Sequence, residues 1–325
     1  MDIEHSLSEE GINYGYQMTQ NDETITVTTK YSPKFSGQGV IFEYLPEDNS
    51  LYLGFREQPP EICGRLYSGV NSAICNSTST EIIVTLIKSS KNEWPFLISS
   101  PSAHGIDSKS LFLLGLHADS SKDYQTAWTN FFNSYKAGYY PAAILVADIL
   151  MSSENPYSVK QDLDESIKIL LNIFDETHKP QIAIKAASAL KKRHRFMDAR
   201  ALLERCADQD DDAKLMLAKL LSPIFGELDE AQHAVSLFAA LSSKKNPEAM
   251  RCLAKHMLTG SGIEKNKEEA KRLIEEAKSI DGVAAEIIQI SDKWSHVLIG
   301  AAIGVGVAAV AFGIVALWRR RSGNK

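Results

Sequence analysis

The chain has 325 residues, 44% of them hydrophobic, and 35 Lys and Arg stand against 41 Asp and Glu. That length allows about two domains and excludes a mini-protein or a disordered polar tail. Without the four basic residues of the last seven positions the formal charge falls from -6 to -10, which excludes a general electrostatic grip on nucleic acid.

Residues 1–13 read as a flexible, acidic and polar N-terminus. No basic start followed by an apolar run occurs in the first thirty residues, so neither a secretory nor a mitochondrial presequence is expected and the bulk of the chain is expected in the cytosol. Cys63, Cys75, Cys206 and Cys252 are scattered without a CxxC, and reduced, buried thiols are expected rather than zinc ligands or disulfides. Asn76-Ser77-Thr78 is formally a glycosylation acceptor, which a cytosolic domain never presents to the transferase.

Residues 14–98 read as strands. Ile25 and Val27 alternate with threonines, Leu51, Leu53 and Phe55 share a face, and Ile82, Val84 and Leu86 share another. Turn residues at Asn21-Asp22, at Glu47-Asp48-Asn49 and from Lys88 to Asn92 separate them. About seven short strands at this spacing predict an all-β sandwich. Tyr14 to Thr28, Glu61 to Tyr67 and Glu81 to Leu97 resemble, in order and spacing, the CS domain of NudC-type proteins and of the small co-chaperone of the ninety-kilodalton heat-shock chaperone. The resemblance implies a CS/HSP20-like fold and a heat-shock chaperone or its clients as partners. Trp94-Pro95-Phe96-Leu97 occupies the place of a Trp-Pro-Arg-Leu signature, with Phe96 where that family has arginine. Trp94 and Phe96 are therefore candidate protein-binding residues, and packing of Trp94 against the sandwich edge is the alternative.

Residues 99–107, with Pro101, Gly105 and several serines, read as a linker that limits contact between domains. From 108 to 292 the apolar period becomes 3.6 and small residues recur within it. Ala143, Ala183, Ala213, Ala249 and Ala285 head comparable helices at spacings of 40, 30, 36 and 36, the range of helix-pair repeats. Ala127, Ser166, Ala199, Ala234 and Ala270 mark the partner helices. Small side chains there let neighbouring helices approach closely, and stacked hairpins cover apolar faces that one hairpin leaves open. The unit from Glu248 to Gly282, with Gly260 and Gly262 before Ile263, resembles the Sel-one-like subfamily of tetratricopeptide-type repeats, and Gly138 ends an earlier unit. The resemblance implies a scaffold that binds peptides or proteins. Lys185, Lys191, Lys192, Arg193 and Arg195 form a basic cluster. It is read either as a seat for an acidic peptide terminus, with Lys185, Lys192, Arg193 and Arg195 as protein-binding candidates, or as a solvated helix end.

From Val297 to Trp318 no charge occurs for 22 positions, enough for a helix of roughly 33 Å. Residues 293–318 are expected to form a transmembrane tail anchor, with Trp294 and Trp318 at its interfaces and Arg319, Arg320 and Arg321 opening the basic tail of 319–325. The expected topology is single-pass with a cytosolic N-terminus. Ten of the 22 positions are Gly or Ala, and this moderate hydrophobicity with a basic tail points to the mitochondrial outer membrane or a related organelle, with the endoplasmic reticulum as the alternative. Gly300 and Gly304 form a GxxxG through which two copies could dimerise.

No phosphate loop, HExxH or GxSxG occurs, and the eight histidines never fall at ligand spacing. No catalytic residue, cofactor or metal is expected. The fold class is thus multidomain: an all-β sandwich, an all-α helical-repeat solenoid and one transmembrane helix. The expected function is a tail-anchored adaptor that recruits a chaperone, client or cargo to an organelle. An organelle-division or tethering adaptor, similar in layout to the mitochondrial fission adaptor, and a membrane enzyme are the alternatives.

Overall fold

Alternating apolar and threonine residues produce strands with one dry face and one wet face. In the computed structural model, which describes residues 15–30, 39–56, 58–78 and 80–282, this alternation builds eight strands. They are β1 (Gln17–Gln20), β2 (Thr24–Lys30), β3 (Val40–Leu45), β4 (Ser50–Phe55), β5 (Ile62–Leu66), β6 (Val70–Ser77), β7 (Glu81–Lys88) and β8 (Ile98–Ser100). They form two antiparallel sheets in the orders β1-β2-β7-β6 and β3-β4-β5-β8. The central register of the first sets Val27 opposite Val84. Ile25 and Val27, Leu51 and Leu53, Ile62, and Ile82, Val84 and Leu86 pack into one core at no more than 1% exposure. Burial of each such side chain contributes roughly 1.5–3 kcal/mol before entropy is subtracted.

The inward series of β7 ends on a charge. Lys88 is buried, and its ammonium donates to Gln20 Oε1 at 2.9 Å and to the carbonyls of Asn21 at 2.8 Å and Asn92 at 2.7 Å. Three acceptors satisfy three donors, which is the condition for keeping an ammonium away from water. Gln20 also clamps Trp94, accepting from its backbone N–H at 3.0 Å and donating Nε2 to its carbonyl at 2.8 Å.

Among the described residues ten helices follow: α1 (Ser108–Ser120), α2 (Tyr124–Lys136), α3 (Tyr140–Met151), α4 (Leu163–Thr177), α5 (Pro180–Lys192), α6 (Phe196–Glu204), α7 (Asp211–Leu221), α8 (Ala231–Ser243), α9 (Pro247–Thr259) and α10 (Lys267–Asp281). Asp107, Asp123, Asp162, Asp210, Asn246 and Asn266 cap six of them by accepting from a first-turn backbone N–H, satisfying donors that the helix itself leaves open. The same short turn joins four helix pairs. Lys122, Gly138, His194 and Lys245 each take a positive φ. The next residue donates its N–H back to the ending helix, from Asp123 to Ala118, Tyr139 to Ser134, Arg195 to Leu190 and Asn246 to Leu241. Glycine is absent from three of these turns, although that conformation favours it. Buried small residues line the seams: Ala127, Ser166, Ala183, Ala199, Ala213, Ala234, Ala249 and Ala270 are at 0% exposure and Ala143 at 6%. Gly115 of α1 lies so close to the Phe131 ring of α2 that a Cβ would stand 2.5 Å from it.

The described residues fall into two compact units divided after Leu220, so the break does not lie in the expected linker. Within the first unit the segment 99–107 is fastened at both ends. β8 pairs with β5, and Asp107 bonds to Cys63 of β5 twice, its N–H donating to the carbonyl and its Oδ2 accepting from the amide, both at 3.0 Å. Tyr16 and Ser110 share a hydroxyl hydrogen bond of 3.0 Å, and Lys109 lies over the Tyr16 ring. Limited contact between sandwich and helices was the expectation from Pro, Gly and Ser content. The structure instead seats the first turn of α1 on the sandwich, because the capping carboxylate of that helix is also the partner of a strand amide. Ala285 and the whole of the expected anchor, including Trp294, Gly300, Gly304, Trp318, Arg319, Arg320 and Arg321, lie outside the described residues. Among the described residues no helix is long and apolar enough to cross a membrane.

Candidate functional site

Two shallow clefts recur at one place in the repeat. The first, of about 190 Å³, is lined by Tyr135, Gly138, Tyr140, Ala143, Ile169, Asn172, Ile173 and Glu176, from α2, α3 and α4. The second, of about 270 Å³, lies among α8, α9 and α10 and includes Ser242, Lys245, Met250, Leu273 and Glu276. Counting from the positive-φ residue of each turn sets Tyr135 opposite Ser242, Gly138 opposite Lys245 and Ala143 opposite Met250. Counting from the capping residues Asp162 and Asn266 pairs Ile169 with Leu273 and Asn172 with Glu276. Equivalent positions therefore open a cleft in two different repeat units, because a helix pair and the helix before it leave the same gap wherever the turn is the same.

What fills the gap differs. Lys245 and Arg272 both bond Glu276 in the second cleft, and Arg272 also bonds Glu269 at 2.6 Å. These hydrogen bonds hold the Glu269 and Glu276 carboxyls below their usual range and the Arg272 guanidinium above its own. The floor beneath is apolar, with Met250, Leu253, Met257 and Leu273. In the unit between, counting from His178 and Arg195 makes Asp175 and Arg205 the equivalent pair. They bond at 3.2 Å while the Arg205 guanidinium lies 4.6 Å from the Phe174 ring, bridging the gap.

The first cleft has an aromatic flank instead. Trp128, Phe132 and Tyr135 follow one another along a half-buried face of α2, with centroids 5.5 Å and 5.9 Å apart, and Lys136 lies over the last two rings. The neighbouring face, with Ala127, Phe131 and Ser134, is buried. Helical spacing thus separates one stripe for packing from one for contact. Burial, and then the Glu165 charge, pushes the Tyr135 hydroxyl up. Periodicity in the sequence marks both stripes as apolar, and only packing tells them apart.

The residues expected from sequence are placed as follows. Trp94 is 1% exposed and Phe96 8%. Phe96 meets Tyr67 edge to face at 5.2 Å and His117 of α1 at 5.3 Å, so the signature-like segment packs sandwich against helix. Tyr67, at 40% exposure and touching both rings, is the aromatic that reaches solvent there. Lys185 bonds Asp148 at 2.7 Å, Lys192 the Met151 carbonyl at 3.1 Å, Arg193 Asp164 through two bonds of 2.6 and 2.9 Å, and Arg195 Asp198 at 2.7 Å. The four are not brought into a cleft: neither cleft is lined by any of them.

Ser222 and His256 form a pair that sequence spacing did not show. Nε2 of His256 is 2.9 Å from Ser222 Oγ and Nδ1 is 2.7 Å from the Ser261 carbonyl, and both residues are at 0% exposure. Ser222 Oγ also accepts from the amides of Ile224 and Phe225. The Ser261 carbonyl can only accept, so Nδ1 is the donor of that bond, and burial pushes the His256 pKa down. The arrangement ties the loops after α7 and α9 together and presents no nucleophile to solvent. Among the described residues no group of three or more His, Cys, Asp or Glu is placed to hold a metal ion.

No family model matches the chain, and no curated protein does. Among solved structures the chain is similar to a Sel1 repeat protein from Oxalobacter formigenes, at 16% identity over 53% of this chain and 73% of that one, with a TM-score of 0.42. It is also similar to MamA, at 15% identity over 51% of this chain and 93% of that one, with a TM-score of 0.40. The repeat architecture described above rests on the chain's own caps, turns and seams rather than on these likenesses.

Proposed function

We propose that this chain is a protein-interaction scaffold of Sel-one-like helical repeats, held at an organelle membrane by its C-terminal segment and facing the cytosol. The observation that carries the reading is the recurrence of a cleft at equivalent positions of two repeat units, one aromatic and one apolar with a charged rim. Two modest sites on one chain raise the effective concentration of a partner that engages both, so neither needs to bind tightly alone. The CS-like resemblance of the sandwich makes a chaperone or its clients the first partners to test. With Trp94 and Phe96 buried, contact from that side falls to Tyr67. The uncharged run from Val297 to Trp318 supports membrane attachment.

The test is affinity capture with the full chain in detergent, comparing the native protein with Tyr135→Ala/Asn172→Arg in the first cleft and Met257→Glu in the second. Heat-shock chaperones or unfolded clients are expected with the native chain and lost with either variant. Capture unchanged by both variants would refute a role for the clefts, and selective capture of division dynamins would favour the tethering alternative. Attachment is tested separately by imaging: a tagged chain lacking residues 295–325 is expected to leave the membrane.

A further inference from the structure

The tip of the α5–α6 hairpin combines cations with an apolar side chain held in water. Lys192, Arg193, His194 and Arg195 are exposed there, in a chain whose formal charge is -6. One residue beyond the half-buried Phe196, Met197 is 60% exposed, the highest value among the exposed large hydrophobics of the described residues. Asp164 and Asp198 pair with Arg193 and Arg195, but the partners are about half exposed in both pairs, at 49%/62% and 49%/55%. Ion pairs so open to water are weak and exchange readily for other anions. Lys192 adds charge that these two carboxylates do not balance, and it spends one of its three donors on the Met151 carbonyl.

We infer that this tip docks on an anionic lipid surface. Cations next to an exposed apolar side chain match the boundary between headgroups and acyl chains: the guanidinium and ammonium groups meet anionic headgroups while Met197 enters the apolar layer. An acidic peptide would satisfy the cations and leave Met197 in water, and neither cleft reaches this turn to hold such a peptide. The surface is separate from the clefts and does not depend on what they bind.

Hydrogen exchange of the full chain, mixed with nanodiscs of zwitterionic lipid alone or with one third anionic lipid, tests this. Zwitterionic discs give the baseline for any anchoring by the C-terminal segment. With anionic discs the amides of 192–198 are expected to exchange at least tenfold more slowly than that baseline. High salt is expected to abolish the protection. Arg193→Gln/Arg195→Gln is expected to weaken disc binding by the tip on the order of tenfold or more, and Met197→Ser to reduce protection with every charge kept. Unchanged circular dichroism shows that these exposed substitutions leave the fold intact. Equal exchange in both kinds of disc, or protection that survives both variants, overturns the inference. Protection by a soluble oligoglutamate peptide equal to that given by anionic discs overturns it in favour of a peptide site.

Discussion

Replacing Glu61 with glutamine should raise the stability of the first unit at neutral and alkaline pH and leave it nearly unchanged in acid. Burial, and then the Asp107 charge, pushes the Glu61 carboxyl from 4.5 to about 7, despite a hydrogen bond from Thr29. Burial pushes Asp107 from 3.8 to about 6, although the Cys63 and Ser110 amides pull it down. Both folded-state values lie above the unfolded ones, so the native state binds more protons between pH 4 and 7 and its stability falls as pH rises through that window. The stabilising contribution is complete below about pH 4 and lost above about pH 7. Moving the Glu61 carboxyl from 4.5 to about 7 corresponds to roughly 3–4 kcal/mol. Glutamine keeps an acceptor for Thr29 and carries no charge, so E61Q should recover most of that at pH 8 and little at pH 4.5. Urea unfolding followed by tryptophan fluorescence, to which Trp94 of the sandwich core and Trp128 of α2 both contribute from the first unit, measures both. An E61Q gain that is equal at pH 4.5 and 8, or absent at both, would refute the buried-carboxylate account of this junction.

Three further substitutions probe the helical part. Gly262 has φ +70, and a Cβ would stand 2.5 Å from the Ala231 carbonyl, so Gly262→Ala should destabilise the second unit by about 3 kcal/mol in thermal unfolding. His256→Ala should cost about 2–4 kcal/mol by removing the ring partner of the Ser222 hydroxyl and of the Ser261 carbonyl and opening a cavity beside Phe225 and Phe238. Because the folded-state pKa of His256 lies below its unfolded value, its contribution is present above about pH 6.5 and lost as pH falls through the folded value; a native-to-variant difference that does not shrink in acid would contradict this. Ala270→Leu should cost about 1–3 kcal/mol by overpacking the seam of α10, and a neutral result in chemical denaturation would show that the seam has spare room.

Much of the fold is legible from local pattern. Ile25, Val27, Ile82, Val84 and Leu86 announce their strands because side chains alternate across a pleat, and each lies in the core. Eight of the nine small residues picked out at helix-pair spacing within the described region are fully buried, and the ninth, Ala143, is nearly so. The turns without glycine are harder to read. Lys122, His194 and Lys245 take a conformation usually given to glycine, since the hydrogen bonds returning to the preceding helix offset the backbone cost.

The sequence by itself determined where apolar faces fall, at what spacing small residues recur in the helical part and which stretch is free of charge from Val297 to Trp318, because these follow from period and composition along the chain. Tertiary structure alone decided that Asp107 serves strand and helix at once, that Trp94 is interior while Tyr67 is not, and that Arg205 bridges one gap while Tyr135 borders another that stays open. Each depends on groups far apart in the chain meeting at a few ångströms, and local spacing carries no information about which distant carboxylate, ring or amide will be there.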